Sequence, residues 1–184
     1  MISHEEALKL LCQYLQDEKL RFHSFAVESI MIQLAKRLNK DEELWSIVGL
    51  LHDLDYEYTQ NNPEKHSKIT AEILSGLIPE AGIHAIKGHN YIHTDYLPTT
   101  SLDKALLAAD AVSGLIIAAA LVMPNKKLSE VTEKTILKKY NDSSFAKGCN
   151  RDRIAMSEDI GIPLEDFLSI SLHALQDIAS TIHL

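Results

Sequence analysis

Nine histidines stand in a chain with only four phenylalanines and one tryptophan. Six of them fall between positions 23 and 93, near expected helix ends. The densest point is His52-Asp53, which closes the apolar run Ile47-Val48-Gly49-Leu50-Leu51. A carboxylate next to an imidazole on the core-facing end of a helix is costly unless it is paired. A second costly residue is Asp110, set in Ala105-Leu106-Leu107-Ala108-Ala109-Asp110-Ala111-Val112. It too needs a positive partner inside the protein, either a metal ion or one of Arg151, Arg153 and Lys104. Imidazole nitrogen with carboxylate oxygen suits Zn, Fe, Mn or Ni rather than Ca. His4, His173 and His183, on terminal helices with no carboxylate at ligand spacing, are expected to be bland.

The elements that must position these groups are helical. Ser3 with Glu6 has capping-box spacing and opens a first helix to about Gln16. Phe25, Ile30, Leu34 and Leu38 mark a second helix from about Arg21, and Asn39 or Asp41 caps a third through Leu51. Asn62-Pro63 predicts the start of a fourth, to about Leu77, and Pro79 a fifth, to about Tyr91. A buried helix over 101–122 is stopped by Pro124. Two more are expected over 128–140 and 145–160, and Pro163 begins the last, to about Ile182. No long run alternates with period two, so the expectation is an all-α bundle of about eight or nine helices in one domain, 1–184.

Composition narrows the function. Lys and Arg number 18 against 26 Asp and Glu, a net charge of −8 that argues against binding nucleic acid or an anionic membrane. A small phosphorylated substrate remains compatible, because a metal ion supplies positive charge locally. Ala105–Val122 barely reaches membrane-spanning length, and Asp110 in mid-span favours a helix buried in a bundle. Cys12 and Cys149 form no CxxC pair and are expected as reduced thiols. With no signal peptide visible, a cytoplasmic location is the expectation. Phosphate-binding glycine loops and GxSxG elbows are absent.

Three segments in order, Arg21-Phe22-His23-Ser24, Gly49-Leu50-Leu51-His52-Asp53 and Ala108-Ala109-Asp110, resemble the HD superfamily of metal-dependent phosphohydrolases. That superfamily's signature is His, His-Asp and Asp in this order on an all-helical fold. The likeness covers about residues 20–122, leaving 123–184 as a C-terminal helical extension. Its HDIG variant has Ile-Gly where this chain has Leu54-Asp55. The resemblance implies a first divalent metal (Mn, Fe, Co, Ni, Zn or Mg) on His23, His52, Asp53 and Asp110. In relatives with two metals it implies a second on His66 and His89, with Asp53 bridging and catalytic. His93, one helical turn beyond His89, competes for that place, and His84 reads as structural.

It further implies hydrolysis of a phosphate ester, a nucleotide being one option, by a metal-activated water. Arg21, Lys87 and Lys104 are then the candidate fixed cations for the phosphate. Asp55 and Glu57 could orient water or protonate the leaving group, or be surface carboxylates beside Tyr56 and Tyr58. A di-iron oxygenase on the same scaffold and a non-catalytic signalling module are the competing readings. Oligomeric state is not legible.

Overall fold

Helix α1 (His4–Tyr14) begins where Ser3 and Glu6 form the expected capping box, each side chain accepting the other's backbone N–H. Helix α2 (Glu18–Leu38) starts three residues before the expected Arg21, because the Asp17 carboxylate accepts the Lys19 N–H and caps it there. Asn39, in the left-handed conformation at φ 51°, ends it. Helix α3 (Glu42–Leu51) is capped by Asp41 and is buried from Trp45 to Leu51. Burial of Leu50 and Leu51 stabilises the fold by about 1.5–3 kcal/mol each. Gly49 sets how closely α2 and α3 cross: a Cβ there would lie 2.9 Å from the Glu28 Cα. That close crossing brings His52 and Asp53, at the end of α3, beside His23 of α2.

After the single turn α4 (Tyr56–Thr59), the helix expected from Asn62-Pro63 does not start there. Residues 60–67 are a series of turns, and α5 (Lys68–Leu74) begins only after Ser67, at φ 67°. Tertiary bonds override the local Asn-Pro signal: the Asn90 amide donates to the carbonyls of Pro63 (2.8 Å) and His66 (2.9 Å). Helix α6 (Glu80–His89) follows Pro79 as expected but stops at Asn90, and a separate turn, α7 (Tyr91–Thr94), follows.

Helix α8 (Ser101–Leu121) is the chain's longest apolar segment, long and apolar enough to cross a membrane. In the fold it is the central strut, with α2 and α6 packed on it. From the C-terminal part, α9 (Glu133–Asn141), α10 (Arg151–Asp159) and α11 (Leu164–Asp177) pack on it as well. All 184 residues are described in this computed structural model, and none lies in a strand, so the fold is all-α.

The expected helices over 128–140 and 145–160 are both shorter. A 3-10 turn (Leu128–Glu130) precedes α9, which Thr132 caps. Residues 142–150 are irregular because Arg151 holds them so. Its guanidinium donates to six carbonyls, those of Lys139, Tyr140, Asp142, Phe145, Ala146 and Cys149. The last helix likewise ends at Asp177 rather than Ile182. One cluster of 42 buried apolar residues runs from Ala7 to Ile182, so the C-terminal extension shares the core of the motif-bearing part.

Candidate metal centre

Four imidazoles converge on Asp53, and each is locked at Nδ1 by a different element of the fold. His52 Nδ1 lies 2.8 Å from the Gly49 carbonyl, and His89 Nδ1 2.5 Å from that of Ile86, each one turn back on its own helix. His66 Nδ1 lies 2.7 Å from Oδ1 of Asp55. His23 Nδ1 lies 3.2 Å from the Ser113 hydroxyl, whose own proton goes to the Asp110 carbonyl. In every case the partner accepts, so Nδ1 carries the hydrogen and Nε2 presents its lone pair inward. Such outer hydrogen bonds are what fix a metal-binding histidine in tautomer and orientation.

The Nε2 atoms surround two carboxylates. His23 Nε2 is 3.2 Å from Asp110 Oδ1 and 3.7 Å from Asp53 Oδ2. Asp53 Oδ1 lies 3.5 Å from His52 Nε2, 3.5 Å from His66 Nε2 and 3.2 Å from His89 Nε2. Two sets of ligand atoms, His23–His52–Asp53 and Asp53–His66–His89, each fall within 4.8 Å of one another, and Asp53 is common to both. Asp110 joins the first set through His23.

Two details show that this arrangement fits a cation. His52 Nε2 is buried with no hydrogen-bond partner. His66 and His89 also face each other Nε2 to Nε2 at 3.0 Å. With both Nδ1 atoms protonated, two bare lone pairs would meet there, and a proton or a metal ion removes the repulsion.

The electrostatics agree. Burial, reinforced by the charges of His89 and His23, pushes His52 down to about 4 despite the Asp53 charge, so it is neutral near pH 7 and able to act as a ligand. Burial also pulls on His23 and His66, but it is outweighed. Hydrogen bonding and charge from Asp110 hold His23 above its ordinary value, and those from Asp55, with the Asp53 charge, do so for His66. Burial would raise Asp53 and Asp110, yet the surrounding histidines keep Asp53 well below the usual carboxylate range and Asp110 below it too. Both carboxylates are ionised.

A cleft of about 390 Å³ opens over this cluster, lined also by Leu20, Tyr56, Asn90 and Arg153. All six residues expected as ligands are thus brought together, and His89 rather than His93 occupies the disputed place, since His93 is exposed on α7. The three cations expected to hold a phosphate are not at the cleft. Arg21 donates to the Leu15 carbonyl (3.1 Å), Lys87 lies over the Tyr96 ring, and Lys104 pairs with Asp159 (2.9 Å). Each is engaged by a group outside the cleft lining. The cation present is Arg153, 3.7 Å from Asp110 Oδ2, whereas Arg151 is spent on carbonyls.

Asp55 and Glu57 part company. Asp55 is fully buried behind His66 and accepts the Thr70 N–H (2.9 Å), while Glu57 accepts the backbone N–H groups of Gln16 and Asp17. His84 lies 3.2 Å from the buried Asp103, away from the cluster, as a structural histidine would. His4 has a carboxylate partner that sequence did not reveal, the buried Glu28 at 2.7 Å.

The family model for the HD domain matches residues 21–115, just over half of the chain, and that span contains all six converging residues. No curated protein and no solved structure shows significant similarity to the chain. On the family match, with the ordered His, His-Asp and Asp brought to one point of an all-α fold, the chain belongs to the HD domain family.

Proposed function

We propose that the protein is a metal-dependent phosphohydrolase acting on a small phosphorylated substrate. The observation that carries this is the common inward aim of four Nε2 atoms at an ionised carboxylate, each imidazole fixed from behind. His23, His52, Asp53 and Asp110 would hold one divalent ion, and Asp53, His66 and His89 a second. A divalent ion there supplies Lewis acidity toward a phosphoryl oxygen and acidifies a water molecule.

The chain's own contribution is positioning. Asp53 Oδ2 faces His23 and Oδ1 faces His52, His66 and His89, so both ligand sets meet on this one carboxylate. Asp55 keeps His66 protonated at Nδ1, and Asn90 pins the His66 backbone from α6. Nitrogen and oxygen donors together suit Mn, Fe, Co, Ni or Zn, with Mg admissible on the carboxylates. The net charge of −8 supports a small substrate rather than a nucleic acid.

The test is release of inorganic phosphate from phosphomonoesters, phosphodiesters and nucleotides, after exhaustive chelation and after adding back Mn, Co, Ni or Mg. Release only with metal is expected. Full release from the chelated protein would overturn the proposal. So would an iron-loaded protein that consumes oxygen and hydrolyses no ester, the outcome for a di-iron oxygenase. Metal-loaded protein that turns over nothing would return the chain to a signalling role.

A further inference from the structure

Arg151 and Arg153 stand two residues apart on α10, and their guanidinium groups have opposite surroundings. That of Arg151 makes six hydrogen bonds to carbonyls. That of Arg153 is four-fifths buried, at 19% exposure, and its Nε has no partner. Its ion-pair partner, Asp110 Oδ2, is 3.7 Å from Nη1, beyond hydrogen-bond range, and its Cζ stands 5.6 Å from the centre of the Tyr91 ring. A guanidinium carries five donors in a rigid fork that matches an oxyanion, and burying it without acceptors is costly.

The charge count points the same way. Asp53 and Asp110 are the carboxylates lining the cleft, and one divalent ion balances both. The second ion and Arg153 would then leave the cleft positive. Arg153 also stands at a junction: a second cavity of about 230 Å³ shares His23, Asp110 and Arg153 with the cleft and is walled further by Gly114, Gly148 and Cys149. Its walls are small residues, and the Cys149 side comes from the C-terminal extension, outside the matched family span.

We infer that Arg153 binds the phosphoryl group of the substrate, and that the trough beside it, walled by Gly148 and Cys149, takes the organic group. The substrate is then a small phosphomonoester, one trough adjoining the guanidinium and accepting one substituent. This rests on the phosphohydrolase reading, and it makes the extension part of the site. Arg153 would offer its fork to two phosphoryl oxygens, a geometry that lysine supplies only as a point charge.

The experiment is calorimetric titration of inorganic phosphate into metal-loaded protein, with metal content measured alongside. Arg153→Gln should weaken phosphate binding about tenfold or more with metal content unchanged, and Arg153→Lys should recover part of it. Cys149→Leu, which narrows the trough, should leave phosphate affinity unchanged and raise KM for a phosphomonoester. Phosphate binding undiminished in Arg153→Gln overturns this inference alone and leaves the phosphohydrolase reading standing. Loss of metal in Arg153→Gln also overturns it, by making the residue a positioning partner of Asp110. An unchanged KM in Cys149→Leu removes the trough. Wild-type protein that holds metal, binds no phosphate and cleaves no ester defeats the phosphohydrolase reading itself.

Discussion

His66 Nδ1 lies 2.7 Å from Oδ1 of Asp55, a carboxylate with no solvent exposure. The other Asp55 oxygen accepts the Thr70 N–H, so the start of α5 holds the carboxylate and the carboxylate holds the imidazole. Burial alone would raise Asp55, but His66 and the Thr70 amide keep it below the usual range and therefore charged. Carboxylate partners of this kind tune a metal site without touching the metal.

Replacing Asp55 with Asn keeps the shape and removes that charge. Affinity for the ion on His66 and His89 should fall about 10–100-fold, with the ion on His52 little affected. Titration of both sites with Mn or Co checks this, and equal affinities in variant and wild type would contradict it.

Metal affinity should rise with pH. His23 and His66 hold their protons to higher pH than a free histidine, near 6.5, and must release them to bind metal. Below that range protons win and binding is weak. Above it affinity levels off, because Asp53 and Asp110 are already ionised and His52 is already neutral. Competition against a chelator across pH values, with the released protons measured by calorimetry, is the check. Affinity constant between about pH 5.5 and 8.5 would contradict it.

Gly49→Ala tests how the helix crossing positions the site. The new Cβ would sit 2.9 Å from backbone at Glu28, which cannot move aside cheaply. A loss of about 1–3 kcal/mol in urea unfolding is expected, together with weaker metal binding, since His52 and Asp53 follow directly on α3. Wild-type stability in this variant would show that the crossing is looser than the distances imply.

Arg151→Met removes the donor that gathers six carbonyls over residues 139–149. A loss of about 3 kcal/mol is expected, with proteolytic cleavage appearing within 142–150. Arg151→Lys should recover little, because an ammonium cannot span those acceptors. Full protease resistance in Arg151→Met would count against this role.

What sequence reading reached, and what escaped it, divides along chain separation. His52-Asp53 and Asp110 were legible because charge within an apolar run is conspicuous, and the Ser3–Glu6 cap because it is local. The turns over 60–67 were not, since their backbone answers to Asn90, a residue beyond the next two helices. The burial of Asp55 depends on where α5 begins, which no local pattern around Tyr56 and Tyr58 discloses. Arg153 reaches the cleft across the α8–α10 packing, 43 residues after Asp110 in the chain. Arg21, Lys87 and Lys104 were misplaced for the converse reason: closeness in sequence to a ligand does not decide which acceptor a long cation finds first.

The two ligand sets share Asp53, and anomalous diffraction from crystals saturated with Mn tests that sharing most directly. Two peaks about 3.5–4 Å apart are expected, with the Asp53 carboxylate between them. His23, His52 and Asp110 should surround one peak, and His66 and His89 the other. A single fully occupied peak with the imidazoles of His66 and His89 turned away from it would contradict the shared centre.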